Sequence, residues 1–361
     1  MNKKRRHSAR PNLLLSWHRW CGLIALVILL IAALSGCLLV YKQALIKLII
    51  TPNAQFPEHA SAQQLTQHIA PQLDQIAQRI QTDNSGYLIK APNAEEPYWT
   101  LTRDADRSVQ LLALDSLEPY QQNLWLFDAL NFFRHLHTEL FIGVAGEIIL
   151  LICGIAGLLL SITGVILWWP TKRSFRWHWV FPRNFKSAYL MHYHRHLGTL
   201  AVPALVIILL TGSIMLWQKL TKPILAPLPT TTVSNTLAAP VNATPAQLLV
   251  HAQQQFSDAW PTYIRLATPE NPAANFRFRL PNEWHSNGRT SVKIDFNTGD
   301  LNLSVRSDQA PWQHKLINQN YPLHSGYGMN PVYRFFVLCG GIALLWLSIT
   351  GGWSYLRRYT K

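Results

Sequence analysis

The chain has 361 residues, 49% of them hydrophobic and only 14% charged. Soluble domains carry about 25% charged residues, so the composition excludes an ordinary soluble domain and points to a membrane protein. The formal net charge of +14 does not indicate nucleic acid. Residues 1–20, residues 170–195 and the last five residues hold fifteen of the 32 basic residues and none of the 18 acidic ones, a pattern that membrane topology or anionic lipid explains.

Four runs are long enough to cross a bilayer, which takes about 20 mostly apolar residues. They fall at roughly 14–41, 141–169, 193–217 and 332–356. The first is too long for the apolar core of a signal peptide, and no small-x-small cleavage site ends it before Tyr41. The basic clusters, with Lys3, Lys4, Arg5, Arg6 and Arg10 in the first, are predicted to be cytoplasmic. The expected order is a basic tail and first helix (1–41), an external segment (42–134), a second helix (135–169), a basic loop (170–192), a third helix (193–217), a second external segment with its linker (218–331), and a fourth helix with a basic tail (332–361). The expected location is a bacterial inner membrane, crossed several times, with both termini cytoplasmic and the external segments periplasmic.

The external segments read as two small α+β modules. In the first, residues 61–80 have helical periodicity, and strand-like runs follow at 86–91, 97–102 and 108–115. In the second, Thr244 is an N-cap with Gln247 three residues on, opening a helix over 244–256. Strand-like runs follow at 261–267, 274–280 and 289–296, and Asn297-Thr298-Gly299-Asp300 signals a hairpin into LNLSV. Residues 219–243, with Pro223, Pro227, Pro229 and Pro240, read as a linker. The four cysteines, Cys21, Cys37, Cys153 and Cys339, lie in or near apolar runs and form no CxxC pair. Neither a disulfide framework nor a thiolate metal site is expected.

The chain also repeats itself. His18-Arg19-x-x-Gly22 recurs as His194-Arg195-x-x-Gly198. His18 precedes Gly36 by 18 residues, and His194 precedes Gly212 by 18. His137 precedes Gly164 by 27 residues, and His324 precedes Gly351 by 27. Four transmembrane helices arranged as two parallel repeats follow, related by an axis along the membrane normal.

Depth then groups the histidines. At about 1.5 Å per residue an 18-residue interval spans roughly 27 Å, nearly the whole hydrocarbon core. His18 and His194 fall near one face, and His137 and His324 near the other. Two same-depth imidazoles on repeat-related helices suit two-histidine ligation of a metal near the axis. Neither layer offers the four ligands of a structural zinc site, whereas a pair of imidazoles in an aromatic-rich bundle suits b-type haem, one or two per chain. Arg19 and Arg195 are candidates to pair with haem propionates. His192 and His196 flank His194 at two residues' distance and remain rivals to it, as His135 does to His137. His178, His251, His285 and His314 have no repeat partners in the membrane layers and are assigned ordinary structural roles.

Glu147 lies ten residues past His137, and Arg334 ten past His324. Intramembrane ionisable groups are functional candidates. The two either pair with each other, or Arg334 meets a propionate while Glu147 handles a proton or cation. The small-residue pairs Ser35-Gly36, Thr163-Gly164, Thr211-Gly212 and Thr350-Gly351 are read first as helix-packing sites, with room for a flat macrocycle as the second reading.

WHRWCGL (17–23), LHTELFIGVAG (136–146) with LSITGVILWWP (160–170), HRHLGT (194–199) with LLTG (209–212), and LHSGYGM (323–329) with LSITGGWSYLRR (347–358) together resemble the PepSY-associated transmembrane family, also called iron-regulated membrane proteins. VKIDFNTGDLNLSV (292–305) resembles a PepSY domain. The family includes inner-membrane siderophore reductases of the FoxB type. The resemblance implies reduction of ferric siderophores in the periplasm by a membrane haem protein, with release of Fe(II), and carries His18, His137, His194 and His324 over as haem ligands. No GxGxxG or Walker-type loop is present, so the expected electron source is a quinol or a separate cytoplasmic donor. The alternatives are a non-enzymatic PepSY-type binding or regulatory protein of the envelope, and a permease for iron complexes.

Overall fold

The structure, a computed structural model, describes residues 13–56, 61–80, 86–122, 124–169, 173, 175–181, 186–221, 230–231, 243–268, 271–295, 301–304 and 306–359. The basic residues Lys3 to Arg10, Lys172, Arg183 and Lys361, the 297–300 turn and nearly all of the expected linker lie outside them. In chain order the elements are α1 (Leu13–Leu39), α2 (Lys42–Ile49), α3 (Ala62–Ile80), β1 (Tyr87–Lys90), β2 (Tyr98–Arg103), β3 (Val109–Ala113), α4 (Leu124–Glu139), α5 (Val144–Trp168), α6 (Ser187–Thr221), β4 (Thr230–Thr231), α7 (Pro245–Gln254), β5 (Trp260–Arg265), β6 (Ala273–Arg279), β7 (Thr290–Asp295), β8 (Leu301–Ser304), α8 (Trp312–Asn318), α9 (Asn320–Ser325) and α10 (Pro331–Tyr359). They form two units, a helical bundle (1–40, 131–221 and 323–361) and a sheet unit (41–130 and 222–322).

In the bundle, α1, α5, α6 and α10 are each long and apolar enough to cross a membrane. α1 packs on α5 and α10, and α6 packs on the same two, so α1 and α6 occupy opposite corners. The bundle's outer surface is apolar: Ile24, Val27, Ile152, Ile166 and Phe335 are exposed. Its interior mixes small or weakly polar residues, Ala25, Ala33, Ser35, Ser161 and Ala204, with larger apolar ones such as Leu29, Leu205 and Leu209. The apolar exterior suits lipid as the solvent, and the small interior residues let the helices approach closely. At Gly341 of α10 a Cβ would lie 2.6 Å from Cys37 Sγ on α1, and at Gly340 one would lie 3.0 Å from Ala204 Cβ on α6.

The sheet unit revises one expectation. The two external segments do not form separate modules. They share one eight-stranded sheet in the order β3-β2-β1-β5-β6-β7-β8-β4. β1 and β5 pair antiparallel, with Ile89 opposite Ile264. The pairing joins the inner edge strand of each segment and removes two exposed edges. β7 and β8 pair antiparallel, as a hairpin requires. Alternation along the strands assigns the faces. Ile89, Ile264, Phe276, Val292 and Ile294 point to a core closed by Leu73 and Ile76 of α3 and Leu248 and Leu249 of α7. α7 opens on the expected capping box, in which Thr244 accepts from the Gln247 N–H and the Gln247 side chain accepts from the Thr244 N–H. On the other face, Ile46 and Ile50 in and just after α2, and Leu126, Phe127 and Leu130 of α4, cover Tyr98 and Leu111.

Candidate functional site

All four repeat-related histidines lie in the bundle unit, and all four are seated alike. His18 Nδ1 lies 2.8 Å from Thr163 Oγ1, and His194 Nδ1 lies 3.0 Å from Thr350 Oγ1. His137 Nδ1 lies 2.9 Å from the Ala32 carbonyl and 3.1 Å from Ser35 Oγ. His324 Nδ1 lies 2.8 Å from the Ile208 carbonyl and 3.4 Å from Thr211 Oγ1. Each hydroxyl donates its own proton to the carbonyl one turn back, at Leu159, Trp346, Ile31 and Ile207 respectively, over 2.6–2.8 Å. With that proton committed, the oxygen accepts, so the ring must donate. The tautomer is thereby fixed as Nδ1–H, and the Nε2 lone pair is left for a ligand. Among the described residues no hydrogen bond reaches any of the four Nε2 atoms.

The glycine after each hydroxyl completes the seat. A Cβ at Gly36 would lie 2.9 Å from His137 Cε1, and one at Gly212 would lie 2.8 Å from His324 Cε1. At Gly164 and Gly351 the distances to Cε1 of His18 and His194 would be 3.5 and 3.4 Å. The Ser/Thr-Gly pairs are therefore histidine cradles as well as packing sites. The repeat carried the signal, since each pair stands at the fixed offset from a histidine by which the halves were aligned. In the sequence alone these pairs mark the repeat and read as packing sites or as room for a flat macrocycle.

Two layers result. At the end of the bundle where α1 begins and α10 ends, His18 and His194 line one cavity of about 420 Å³ together with Arg19, Arg195, Gly198 and Gly351. At the opposite end, the His137 and His324 ring centroids lie 5.9 Å apart with planes inclined by 39°. His137, expected within the second spanning helix (135–169), lies instead near the end of α4, and His324, which precedes the expected fourth helix, is on α9. The turn after α4 holds Leu140 at φ 50° and Phe141 at φ 61°. Two consecutive left-handed non-glycine residues cost of order 1–3 kcal/mol each; they separate α4 from α5, and His137, just before them, lies against Ala32 and Ser35 of α1.

The rivals lie elsewhere. α6 begins at Ser187, so His192 and His196 are well inside the helix, turned away from His194. The His192 ring stacks on Trp179 at 4.7 Å. His196 Nδ1 bonds to the His192 carbonyl at 2.7 Å, and its ring lies 5.4 Å from Phe175. His135 bonds to Glu139 and, at 2.8 Å, to Arg134. Of the two arrangements expected for Glu147 and Arg334, their mutual pairing is not the one observed. Glu147 is buried and ion-paired with Lys219 at the far end of α6, while Arg334 Nε donates to the Gly326 carbonyl at 3.3 Å.

Among the described residues no group of three or more His, Cys, Asp or Glu is placed to hold a metal ion, and all four cysteines are free thiols. The donor set on offer is pairs of imidazoles. Two metal–nitrogen bonds of about 2 Å each, added to the radii of two imidazole rings, separate ring centroids by about 6 Å. The spacing of His137 and His324 meets that requirement. The cavity at the other end adds two guanidinium groups to two imidazoles, which suits a flat apolar ligand bearing carboxylates.

Four apolar spanning helices and an apolar exterior define a membrane protein. The model of the PepSY-associated TM region matches residues 15–358, and the chain belongs to that family. A search of curated proteins finds no match.

Proposed function

We propose that the protein is a haem-dependent electron-transfer enzyme of the bacterial inner membrane that reduces ferric siderophores in the periplasm and releases Fe(II). The observation that carries the reading is the four-fold cradle: four histidines in two layers, each with Nδ1–H fixed by a hydroxyl or carbonyl and Nε2 left for a metal. An N–H bond of this kind fixes ring orientation and raises ligand basicity in metal-binding histidines. His18 with His194, and His137 with His324, would hold b-type haem, and Arg19, Arg195 and Arg334 are the candidate propionate partners. Haem bound between two imidazoles supplies a one-electron centre whose potential the axial ligands set.

The chain's own contribution is placement. The hydroxyl-glycine cradles hold the rings, the small-residue interior leaves room for a flat ligand, and the apolar wall excludes water. Siderophores hold Fe(III) through hard oxygen donors. One electron converts it to Fe(II), which those donors hold more weakly, so reduction serves release. The electron comes from a quinol or a cytoplasmic donor. Basic segments at 1–20, 170–195 and 357–361 support cytoplasmic termini.

Protein purified from cells with ample haem should show b-type absorption bands, with haem lost in His18→Ala, His194→Ala, His137→Ala or His324→Ala. The reduced protein should convert a ferric siderophore to Fe(II) captured by a ferrous chelator. A folded, colourless protein would sink the proposal and leave a non-enzymatic envelope-binding role.

A further inference from the structure

The sheet face opposite the α3–α7 core carries a row of side chains set by register. Lys90 of β1 lies opposite Tyr263 of β5, and Tyr263 lies opposite Arg277 of β6. A bulge between Pro261 and Tyr263 interrupts the pairing. Thr262 holds it, its hydroxyl placed 3.2 Å from the Arg277 carbonyl and 2.6 Å from the Asn287 carbonyl. Lys90 Nζ and Arg277 Cζ lie 5.8 and 5.6 Å from the Tyr263 ring centroid. The loop between β6 and β7 folds back on this row. Arg279 Nε donates to the Glu283 carbonyl at 3.3 Å. Gly288 has φ 63°, and a Cβ there would lie 1.9 Å from the Phe278 carbonyl oxygen, so only glycine closes the loop.

Four cations, Lys90, Arg277, Arg279 and Arg289, thus share this region with two carboxylates. One of these, Glu96, is ion-paired with Lys90. The other, Glu283, accepts from the Leu280 N–H at 3.2 Å through Oε2, while its Oε1 is buried with no hydrogen-bond partner among the described residues. Among those residues no carboxylate forms an ion pair with Arg277, Arg279 or Arg289. His285 does not add a fifth charge. Its buried ring lies 5.4 Å from that of Tyr321, its Nδ1 accepts from the Asn287 N–H at 3.2 Å, and burial together with the charges of Arg289 and Arg277 pushes its pKa down to about 3. The Glu283 carboxylate acts on Arg277, Arg279 and Arg289 through space without forming an ion pair with them, so three guanidinium groups face one unpaired carboxylate; the excess positive charge opposes folding, and an anion bound among them offsets it.

We infer that Arg277, Arg279, Arg289 and Tyr263 form a binding site for a polyanionic ferric chelate with aromatic oxygen donors, a catecholate-class siderophore, in preference to the neutral or cationic hydroxamate class. This rests on the ferric-siderophore reading above. Guanidinium groups bind oxyanions through paired N–H bonds and stack on aromatic rings, and a ferric tris-catecholate presents both phenolate oxygens and ring faces. Trp284, on the same loop and 53% exposed, adds an aromatic surface at the rim.

Gallium(III) complexes test the site, because Ga(III) is not reduced under these conditions and binding is read apart from electron transfer. Full-length protein in detergent is titrated with a gallium tris-catecholate and a gallium trihydroxamate, following tryptophan fluorescence. The catecholate is expected to bind at least about tenfold more tightly, and Arg277→Gln/Arg289→Gln to lose about tenfold or more of that affinity. Lys315→Gln, on α8, is expected to change nothing. If the double variant misfolds by circular dichroism, Arg289→Gln alone, on the exposed loop, is read with the same expectation. Equal affinity for the two complexes, or catecholate binding indifferent to the arginines, overturns the site. So does competition by glycerol phosphate that the arginine variants abolish, since it would make the ligand a phosphate monoester. Selective binding without reduction of the ferric complex keeps the site and overturns the reductase reading. Reduction without selective binding does the reverse.

Discussion

The cradle glycines give the sharpest test of how the histidines are held, because the four seats are not equally tight. In Gly36→Ala the new methyl carbon would lie 2.9 Å from His137 Cε1 and 3.4 Å from its Nδ1. In Gly212→Ala the distances to His324 would be 2.8 and 3.1 Å. Carbon atoms rest at about 3.5–4.0 Å, so the rings must retreat by about 0.6 Å or more at His137 and about 0.7 Å or more at His324, against their bonds to the Ala32 and Ile208 carbonyls. Overpacking of this kind costs about 1–3 kcal/mol. Better helix propensity returns about 1 kcal/mol, leaving a net loss of about 0–2 kcal/mol and a displaced ligand. Gly164→Ala and Gly351→Ala place the methyl at 3.5 and 3.4 Å from the ring, ordinary contact, and keep the propensity gain. Haem-to-protein ratio by the pyridine assay and thermal unfolding in detergent, measured on all four, should separate the pairs. Gly36→Ala and Gly212→Ala should lose haem, and Gly164→Ala and Gly351→Ala should match the parent or exceed its stability. Equal losses in all four, or none in Gly36→Ala, would refute the cradle.

Thr163→Val removes the hydroxyl that fixes His18 Nδ1 and should weaken haem binding at that layer by about 10–100-fold. Ser35→Ala leaves His137 its bond to the Ala32 carbonyl and should cost only a few-fold; haem-transfer titrations to an apo-globin compare the two. Lys219→Met strands the buried Glu147 carboxylate and should cost about 3–5 kcal/mol in detergent unfolding. Glu147→Gln leaves an ammonium whose side chain is 61% exposed, and its loss should be about 1 kcal/mol or less. His285 has a folded pKa of about 3, below the unfolded value of about 6.5. The unfolded chain therefore takes up the proton first, and this stabilisation, present above pH 6.5, declines as pH falls, by about 1 kcal/mol at pH 5.5. The melting temperature of His285→Asn should fall less between pH 7 and 5.5 than that of the parent; parallel curves would count against the assignment.

What the sequence disclosed, and what it hid, follows the range of the interactions. The spanning helices were legible because about 20 apolar residues in a row have few other solutions. The strands were legible by alternation, as in Ala274, Phe276 and Phe278 buried against half-buried Asn275, Arg277 and Arg279. The Thr244 cap was legible because both partners lie within four residues. The pairing of Ile89 with Ile264 was not, because edge strands more than 170 residues apart leave no local mark of their partner. The placement of His137 off the second spanning helix was hidden for a related reason. Leu140 and Phe141 adopt left-handed backbone that their side chains disfavour, so nothing in LHTELFIG announces a turn. Lys219 as the partner of Glu147 was missed because the repeat offered Arg334 at matching depth, and sequence depth does not report which helix faces which. The arginines of the β6–β7 region carried no motif at all; only the register gathers them.

The cradles also account for the 18-residue interval itself. α1 bears a histidine near one end and a cradle near the other. His18 is seated by Thr163 of α5, while Ser35 and Gly36 seat His137 of α4. α6 does the same with His194, Thr211 and Gly212. Each of these helices is therefore a ruler of roughly 27 Å that must present both ends on the correct face at once, which helix packing alone does not demand. One alanine inserted between Val27 and Ile28 shifts the Ser35-Gly36 cradle by about 1.5 Å and turns it by about 100° relative to His18. His18 and Thr163 keep their register while His137 loses its seat. If haem occupies both layers, the insertion should remove the haem of the His137–His324 layer and leave the other, so that haem per folded protein falls by about half. Full retention in a protein with unchanged helix content would mean that the interval has no such role. Loss of both haems with the helices intact would mean that the two layers do not load independently.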